Sequence, residues 1–177
     1  MIKKLAKYVK DYKKAAILTP IFVIFEVIME IVIPYLMAKI IDVGIQNSDV
    51  KYILEMGVFL IVSAILSLAF GMLSGRFAAK ASAGYAKNLR KAMFDKIQTY
   101  AFENIDKFST SSLITRLTTD VTNVQNAFQM IIRILVRGPI MMIFALFMCF
   151  TISPKLACIF LVAIPILGFL LFFIANK

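Results

Sequence analysis

The chain has 177 residues, 61% of them hydrophobic, with a formal net charge of +10 and a mean hydropathy of +0.87. It contains no His, which excludes an ordinary imidazole metal site and a Ser-His catalytic triad. Cys149 and Cys158 lie in apolar segments without metal-ligating companions, so we expect two small buried hydrophobes and no disulfide. Several apolar segments approach the roughly 20 residues that a membrane span needs, which predicts an all-α membrane protein with several spans. Positive charge beside such segments favours contact with anionic lipid headgroups, so the bilayer is the expected partner and nucleic acid is not.

Residues 1–14 predict an amphipathic helix along the inner leaflet, because apolar residues recur at helical spacing and lysines occupy the other face. The apolar positions are Ile2, Leu5, Tyr8, Val9 and Tyr12. A simple basic flank is the alternative. The first predicted span follows at residues 15–41, and Pro34 inside it should kink the helix because proline removes a backbone hydrogen bond.

Glu26 and Glu30 lie one turn apart in this span and therefore share a face of the helix. Two carboxylates do not face lipid together, so they must face other helices or a water-filled cavity. One interpretation is a cavity-lining acidic pair for a cationic or amphipathic substrate, with Phe22, Phe25 and Met29 as adaptable apolar contacts. The other is a structural pair, hydrogen-bonded to neighbouring helices or with one carboxyl protonated beside a charged one.

Residues 42–55 form a polar connection with little positive charge, and residues 56–75 form the second predicted span. Small residues recur every four positions along this span and beyond it, which lets another helix backbone approach closely. They are Ser63, Ser67, Gly71, Gly75, Ala79 and Ala83. Because the pattern continues past Arg76, the helix should extend into the cytoplasm as the first limb of a hairpin, residues 76–137. From Arg76 to Asn104 such a limb would reach on the order of 40 Å.

Apolar residues three and four apart predict that the second limb of the hairpin packs antiparallel to the first. They are Ile114, Leu117, Val121, Val124, Phe128, Ile131 and Leu135. The third span is predicted at residues 138–152 and the fourth at 156–175, where Pro165 should add a second kink. Six basic residues precede the first span and ten lie from Arg76 to Arg137, against three at the opposite ends of the spans. This asymmetry places the N-terminus and the hairpin inside the cell.

A polar turn, about residues 102–113, lies at the far end of this hairpin. It belongs to the sequence FENIDKFSTSSLITRLTTDV, which is rich in residues that cap helices and form turns. Ile105 and Phe108 nevertheless put apolar side chains at its exposed tip. The turn is therefore either a solvated loop or a docking element for a soluble partner.

The order of residues from Phe108 through Thr110, Ser112, Leu113 and Arg116 to Asp120 resembles the first intracellular loop of ATP-binding-cassette (ABC) exporters. The resemblance extends over all 177 residues, and TSSLITRLTTDV is most similar to one half of a bacterial heterodimeric multidrug exporter. It implies that residues 1–14 are an elbow helix and that residues 15–177 are part of an ABC transmembrane domain. It also implies that the turn docks on a nucleotide-binding domain through a set of coupling residues. These are Ile105, Phe108, Thr110, Ser112, Leu113, Arg116 and Asp120.

The same resemblance suggests an external gate at Asp42, although a plain helix-end residue is an equal alternative. Family members have six spans per half, usually followed by a nucleotide-binding domain, so this chain is expected to be the N-terminal part of such a protein or a truncated product. No GxxxxGK[ST] motif occurs here, so we expect no cofactor in this chain, with ATP and Mg²⁺ bound by the nucleotide-binding domains of the full transporter.

The expected function is the permease part of an ATP-driven exporter in the cell membrane, which moves amphipathic or drug-like compounds outward by alternating access. Its expected partners are a nucleotide-binding domain and a second transmembrane half, in a heterodimer or a homodimer. The alternative is a membrane scaffold or sensor that does not transport and whose hairpin recruits a partner protein.

Overall fold

A computed structural model describes residues 7–99 and 109–175, and every element in these two ranges is helical. The first described element, Lys7–Tyr12, is a 3₁₀ helix that is kinked at Lys10, and α1, Lys13–Lys39, follows it. A π-helical segment, Ile40–Ile45, extends α1 at its far end. Helix α2, Val50–Gln98, runs back antiparallel to α1 and is capped at its start by the Asp49 side chain, which accepts a hydrogen bond from the Tyr52 amide. The prediction of an all-α fold is confirmed.

The second limb of the hairpin and the third predicted span form one long helix, Ser111–Ile152, which we call the returning helix. Its α-helical parts are α3, Thr110–Thr115, α4, Val121–Met130, and α5, Val136–Ile152, and two π-helical segments separate them, Arg116–Asp120 and Ile131–Leu135. After a break at Ser153, α6 follows as Pro154–Ala175. Helices continue through Pro34 and Pro165, and the kinks expected there stay predictions.

Three helices are long and apolar enough to cross a membrane: Tyr8–Ile45, Val50–Gln98 and the returning helix. The chain is therefore a multi-pass membrane protein. In α6 the shorter stretch Ala157–Leu170 is apolar, and a fourth span at residues 156–175 stays a prediction.

Small residues on α2 allow the close packing of α1 and α2, but their phase differs from the predicted one. Ser63 is buried as expected, whereas Ala79 and Ala83 are exposed, so the prediction was wrong at those two positions. The buried small residues further along are Ser74, Ala78, Ala81 and Ser82. An α-helix turns once in 3.6 residues, so a strict four-residue repeat drifts by about 40° per step and leaves the interface after a few turns.

A compact cluster joins the N-terminal segment to the hairpin. Val9, Tyr85, Leu89 and Val121 are buried together, and the rings of Tyr85 and Phe128 stack with centroids 4.7 Å apart. Val9, which belongs to the apolar face predicted for residues 1–14, is thus covered by the rest of the protein.

A hydrogen bond fastens the same segment to the hairpin. The Asn88 side-chain amide donates to the Tyr8 carbonyl at 2.9 Å. Because Asn88 lies on α2 and Tyr8 in the 3₁₀ helix, this bond and the apolar cluster hold the N-terminal segment against the first limb.

The apolar seam of the second limb is confirmed only in its middle. Val121 is 2% exposed, and Val124 and Phe128 pack against the same cluster, whereas Ile131 and Leu135 are 53% and 68% exposed. Ile114, at the other end, is also exposed. The seam prediction was wrong at these three positions because π-helical segments flank α4. Each inserted residue rotates the helix face that follows by about 100°.

Polar residues face α2 just before and within the second π-helical segment. The Ser82 hydroxyl donates to the Gln129 side-chain oxygen at 3.2 Å. Arg133 lies beside Gly75, with its guanidinium Nη1 3.6 Å from where a Cβ on that glycine would be. Arg137 is the next residue in this series of four-residue steps, and the rotation turns it towards α1.

Gly84 provides a test of the packing between the 3₁₀ helix and α2. A Cβ at this position would overlap the ring of Tyr12, so Gly84→Ala should lower the free energy of unfolding by about 1–3 kcal/mol. Gly57→Ala on the same helix is the matched control, because no atom lies within 4 Å of its Cβ, and it should leave stability unchanged or raise it by up to about 1 kcal/mol. Thermal unfolding of the purified protein in detergent measures both, and equal melting temperatures would contradict this packing.

Candidate functional site

The two carboxylates of α1 are bridged by one arginine of the returning helix. Arg137 Nη1 lies 3.0 Å from Glu26 Oε1, and Arg137 Nη2 lies 2.5 Å from Glu30 Oε1. Four-residue spacing on α1 stacks the two carboxylates, and the planar guanidinium fork presents one nitrogen to each. Such charge-assisted bonds are among the stronger ones in proteins, so Arg137 ties α1 to α5.

Helix α2 completes the environment of Glu26. The Ser74 hydroxyl donates to Glu26 Oε2 at 3.3 Å. Gly71 lies directly against the carboxylate, since a Cβ there would be 3.1 Å from Glu26 Oε1. Glu26 is consequently 7% exposed, with partners on both neighbouring helices. The glycine permits this approach, and the serine and the arginine offset the desolvation of the charge.

Glu30 is less enclosed than Glu26. Its side chain is 28% exposed, yet its second oxygen, Oε2, is buried and has no hydrogen-bond partner among the described residues. Arg133 lies one turn before Arg137 and lines a cleft of about 600 Å³ together with Glu26 and Glu30. In the described parts of the chain, Arg137 is the one cation in contact with this acidic pair.

The apolar residues predicted around the pair lie at the interface of α1 and α2. The ring of Phe22 stacks on that of Phe77 at 5.4 Å, and the ring of Phe25 stacks on that of Phe70 at 5.3 Å. Met29 is half-buried. The structure thus places Phe22 and Phe25 beside α2, and a substrate role for these residues stays a prediction.

A second cleft, which sequence reasoning missed, lies between α1 and α5 and has a volume of about 290 Å³. Its walls are almost entirely apolar. They are formed by Ile31, Pro34, Tyr35, Ala38, Met141, Ala145, Met148 and Ile152. Glu30 supplies the one carboxylate among the residues that line it. Met141 and Met148, seven residues apart on one helix face, were the available sequence signal.

The family is decided by similarity over the length of the chain. Residues 16–177 match the model of the ABC transporter transmembrane region. The chain belongs to this family. The resemblance found in the sequence is therefore confirmed, and the helices described above are those of an ABC transmembrane region.

Related proteins are several times longer than this chain. An uncharacterized ABC transporter ATP-binding protein of Bacillus subtilis, YfiB, is 36% identical over 99% of this chain and 31% of its own length. An ATP-dependent lipid A-core flippase of Pseudoalteromonas translucida is 29% identical over 99% of the chain and 30% of its own length. A protein of Rickettsia felis named as an export ATP-binding/permease protein is 26% identical over 94% of this chain and 29% of its own length. The chain thus spans about 30% of the length of these relatives.

The coupling residues expected of an ABC exporter lie at and after the hairpin turn. Ile105 and Phe108 lie outside the described residues, and Thr110 begins α3. Ser109 caps this helix by accepting a hydrogen bond from the Ser112 amide at 3.3 Å. Leu113 is half-buried and lines a groove beside Tyr8.

Three further predicted residues are exposed. Arg116 and Asp120 begin and end the first π-helical segment, and Asp42 lies in the π-helical segment after α1. Nothing in the structure tests a coupling role for Arg116 and Asp120 or a gate role for Asp42, and both stay predictions.

Removal of Arg137 tests the ion-pair cluster. Arg137→Gln leaves two carboxylates without their cation, so the free energy of unfolding should fall by about 2 kcal/mol or more. This is less than for a fully buried pair, because the Arg137 side chain is 35% exposed. Arg133→Gln removes an arginine that has no ion pair among the described residues. It should change the free energy of unfolding by less than about 0.5 kcal/mol.

Chemical unfolding in detergent measures both variants. The triple variant Glu26→Gln, Glu30→Gln, Arg137→Gln should recover part of the loss, since no charge then remains unpaired. Equal losses for Arg137→Gln and Arg133→Gln would show that the ion pairs contribute little.

Proposed function

We propose that this chain is the membrane part of an ATP-driven exporter that moves amphipathic, drug-like compounds out of the cell by alternating access. The match of residues 16–177 to the ABC transporter transmembrane region carries this proposal. One relative is a lipid A-core flippase, which supports an amphipathic substrate, and another is named as an export ATP-binding/permease protein, which supports outward movement. In the complete transporter, nucleotide-binding domains would bind ATP and Mg²⁺, and a second transmembrane half, different or identical, would complete the pathway.

The substrate region would include the acidic pair and its aromatic neighbours. Glu26 and Glu30 supply two carboxylates to this part of the bundle, and Phe22, Phe25 and Met29 add apolar surface beside them. Asp42, at the opposite end of α1 from the hairpin, would belong to an external gate. An acidic pair next to apolar side chains suits amphipathic cations.

The orientation of the chain is tested by thiol labelling. The asymmetry of basic residues supports a cytoplasmic N-terminus and a cytoplasmic hairpin. Single cysteines at Asn47 and Ser111, in a background that lacks Cys149 and Cys158, should respond oppositely to a membrane-impermeant thiol reagent on intact cells. Position 47 should be labelled and position 111 should be protected until the membrane is permeabilised. The reverse pattern would show the opposite orientation.

The hairpin turn would transmit the movement of the nucleotide-binding domains to the membrane. The two limbs are fastened together well before the turn, by the Tyr85–Phe128 stack and by a bond from Arg90 to the Thr122 hydroxyl at 3.1 Å. A force at the turn would therefore move the paired limbs together. Of the coupling residues, Phe108 has the apolar bulk to anchor the turn in a groove on the partner.

Phe108→Ala tests this coupling in the complete transporter. A buried aromatic anchor commonly costs about 2 kcal/mol or more when truncated, so substrate-stimulated ATP hydrolysis and transport should both fall strongly. Phe94→Ala is the matched control, because Phe94 is an exposed aromatic residue of the same hairpin outside the turn. Its activity should stay at the wild-type level, as should the membrane insertion of both variants. Wild-type coupling in Phe108→Ala would favour a solvated loop.

A further inference from the structure

The cleft between α1 and α5 combines an apolar wall with a single acidic end. Tyr35, Met141 and Met148 offer broad, adaptable apolar contact, and Glu30 lies at the end nearest to the hairpin. This arrangement fits a molecule with an apolar body and one positive charge. An anionic amphiphile would be repelled by the carboxylate, and a neutral one would gain less from it than a cation does.

The carboxylate of Glu30 is not free in this conformation. Its Oε1 atom binds Arg137 Nη2, and its Oε2 atom is enclosed by protein. An arriving cation would therefore meet the carboxylate at Oε1, where it competes with Arg137 Nη2. Replacement is sterically open, because the Arg137 side chain is 35% exposed and its long stem can swing without moving the helix backbone.

The carboxylates of the cluster have alternative partners. Arg137 is shared between two carboxylates, and Arg133 lines the neighbouring cleft with them without an ion pair among the described residues. Glu26 would keep its hydrogen bond from Ser74 while Glu30 changed partner. The exchange thus leaves no carboxylate without a partner, provided that the incoming group is a cation.

We propose that an amphipathic cation bound in this cleft and Arg137 compete for Glu30, so that binding loosens the returning helix from α1. Arg137 is then a specificity-determining residue, since it holds the site closed to molecules that cannot replace its charge. This inference rests on the proposed export of amphipathic compounds and adds how such a compound would be recognised. It also gives substrate binding a direct effect on the contact between two helices.

The first experiment follows the distance between α1 and α5 in the complete transporter, in lipid nanodiscs without ATP. Spin labels at Met37→Cys and Phe147→Cys, in a background that lacks Cys149 and Cys158, lie on exposed positions that do not line the cleft. Tetraphenylphosphonium should shift the distance distribution to larger values, and tetraphenylborate, its near-isosteric anion, should not. An unchanged distribution with both ions, or the same shift with both, would overturn the competition.

The second experiment measures binding of radiolabelled tetraphenylphosphonium to purified variants. Arg137→Lys keeps the positive charge but cannot fork to both carboxylates, so the affinity for the cation should rise roughly tenfold, the equivalent of one charge-assisted hydrogen bond. Glu30→Gln should abolish the competition and most of the binding. Arg133→Lys is the matched control and should bind like the wild type. Unchanged affinity in Arg137→Lys, or full binding in Glu30→Gln, would place the cation elsewhere.

These readouts separate the inference from the proposed function. A distance shift and a raised affinity in a protein that moves no compound would support the competition and reject export. Transport of tetraphenylphosphonium without any dependence on Arg137 or Glu30 would support export and reject the competition.

Discussion

The bridge from Arg137 to Glu26 and Glu30 is the constraint on which the arrangement of the membrane helices depends. Ionised groups inside an apolar bundle are tolerated only when they are paired, and the pairing must be geometrically close. Because one guanidinium contacts two carboxylates a turn apart, the bridge fixes both the depth and the rotation of the returning helix relative to α1. Ser74 and Gly71 extend the same requirement to α2, where a side chain larger than that of glycine would crowd the Glu26 carboxylate.

The cluster around Tyr85 acts as a second anchor on α2. Ser74 and Tyr85 are eleven residues apart, which places the two anchors about 17 Å apart along one helix. The first anchor is polar and can exchange partners, whereas the second is apolar and buries Val9, Leu89 and Val121. A bundle fixed at two points of such different chemistry can change at the polar point and stay together at the apolar one. This division would suit the proposed movement, in which the hairpin moves as a unit.

The fold class and the order of the helices could be predicted from the sequence, because long apolar segments and their periodicity are local properties. Finer packing was predictable only where periodicity stayed regular. Val121 and Phe128 followed the expected seam, but Ile131 and Leu135 did not, since π-helical segments beside α4 rotate the helix faces and leave no clear mark in the pattern. The predicted small-residue contact was wrong at Ala79 and Ala83 for a related reason, namely the difference between a four-residue repeat and the helical period of 3.6 residues.

In the candidate site, the difference between what could and could not be predicted from the sequence is clearer still. That Glu26 and Glu30 share a protected face follows from their spacing and from the cost of placing charge in lipid. Their partner could not be derived in this way, because Arg137 lies 111 residues from Glu26 and appears in the sequence as an ordinary basic residue at the start of a span. The rotation that disrupts the apolar seam is the one that turns Arg137 inward. The irregular part of the returning helix therefore creates the polar contact, and a regular coiled-coil seam through the same residues would have left Glu26 and Glu30 without their cation.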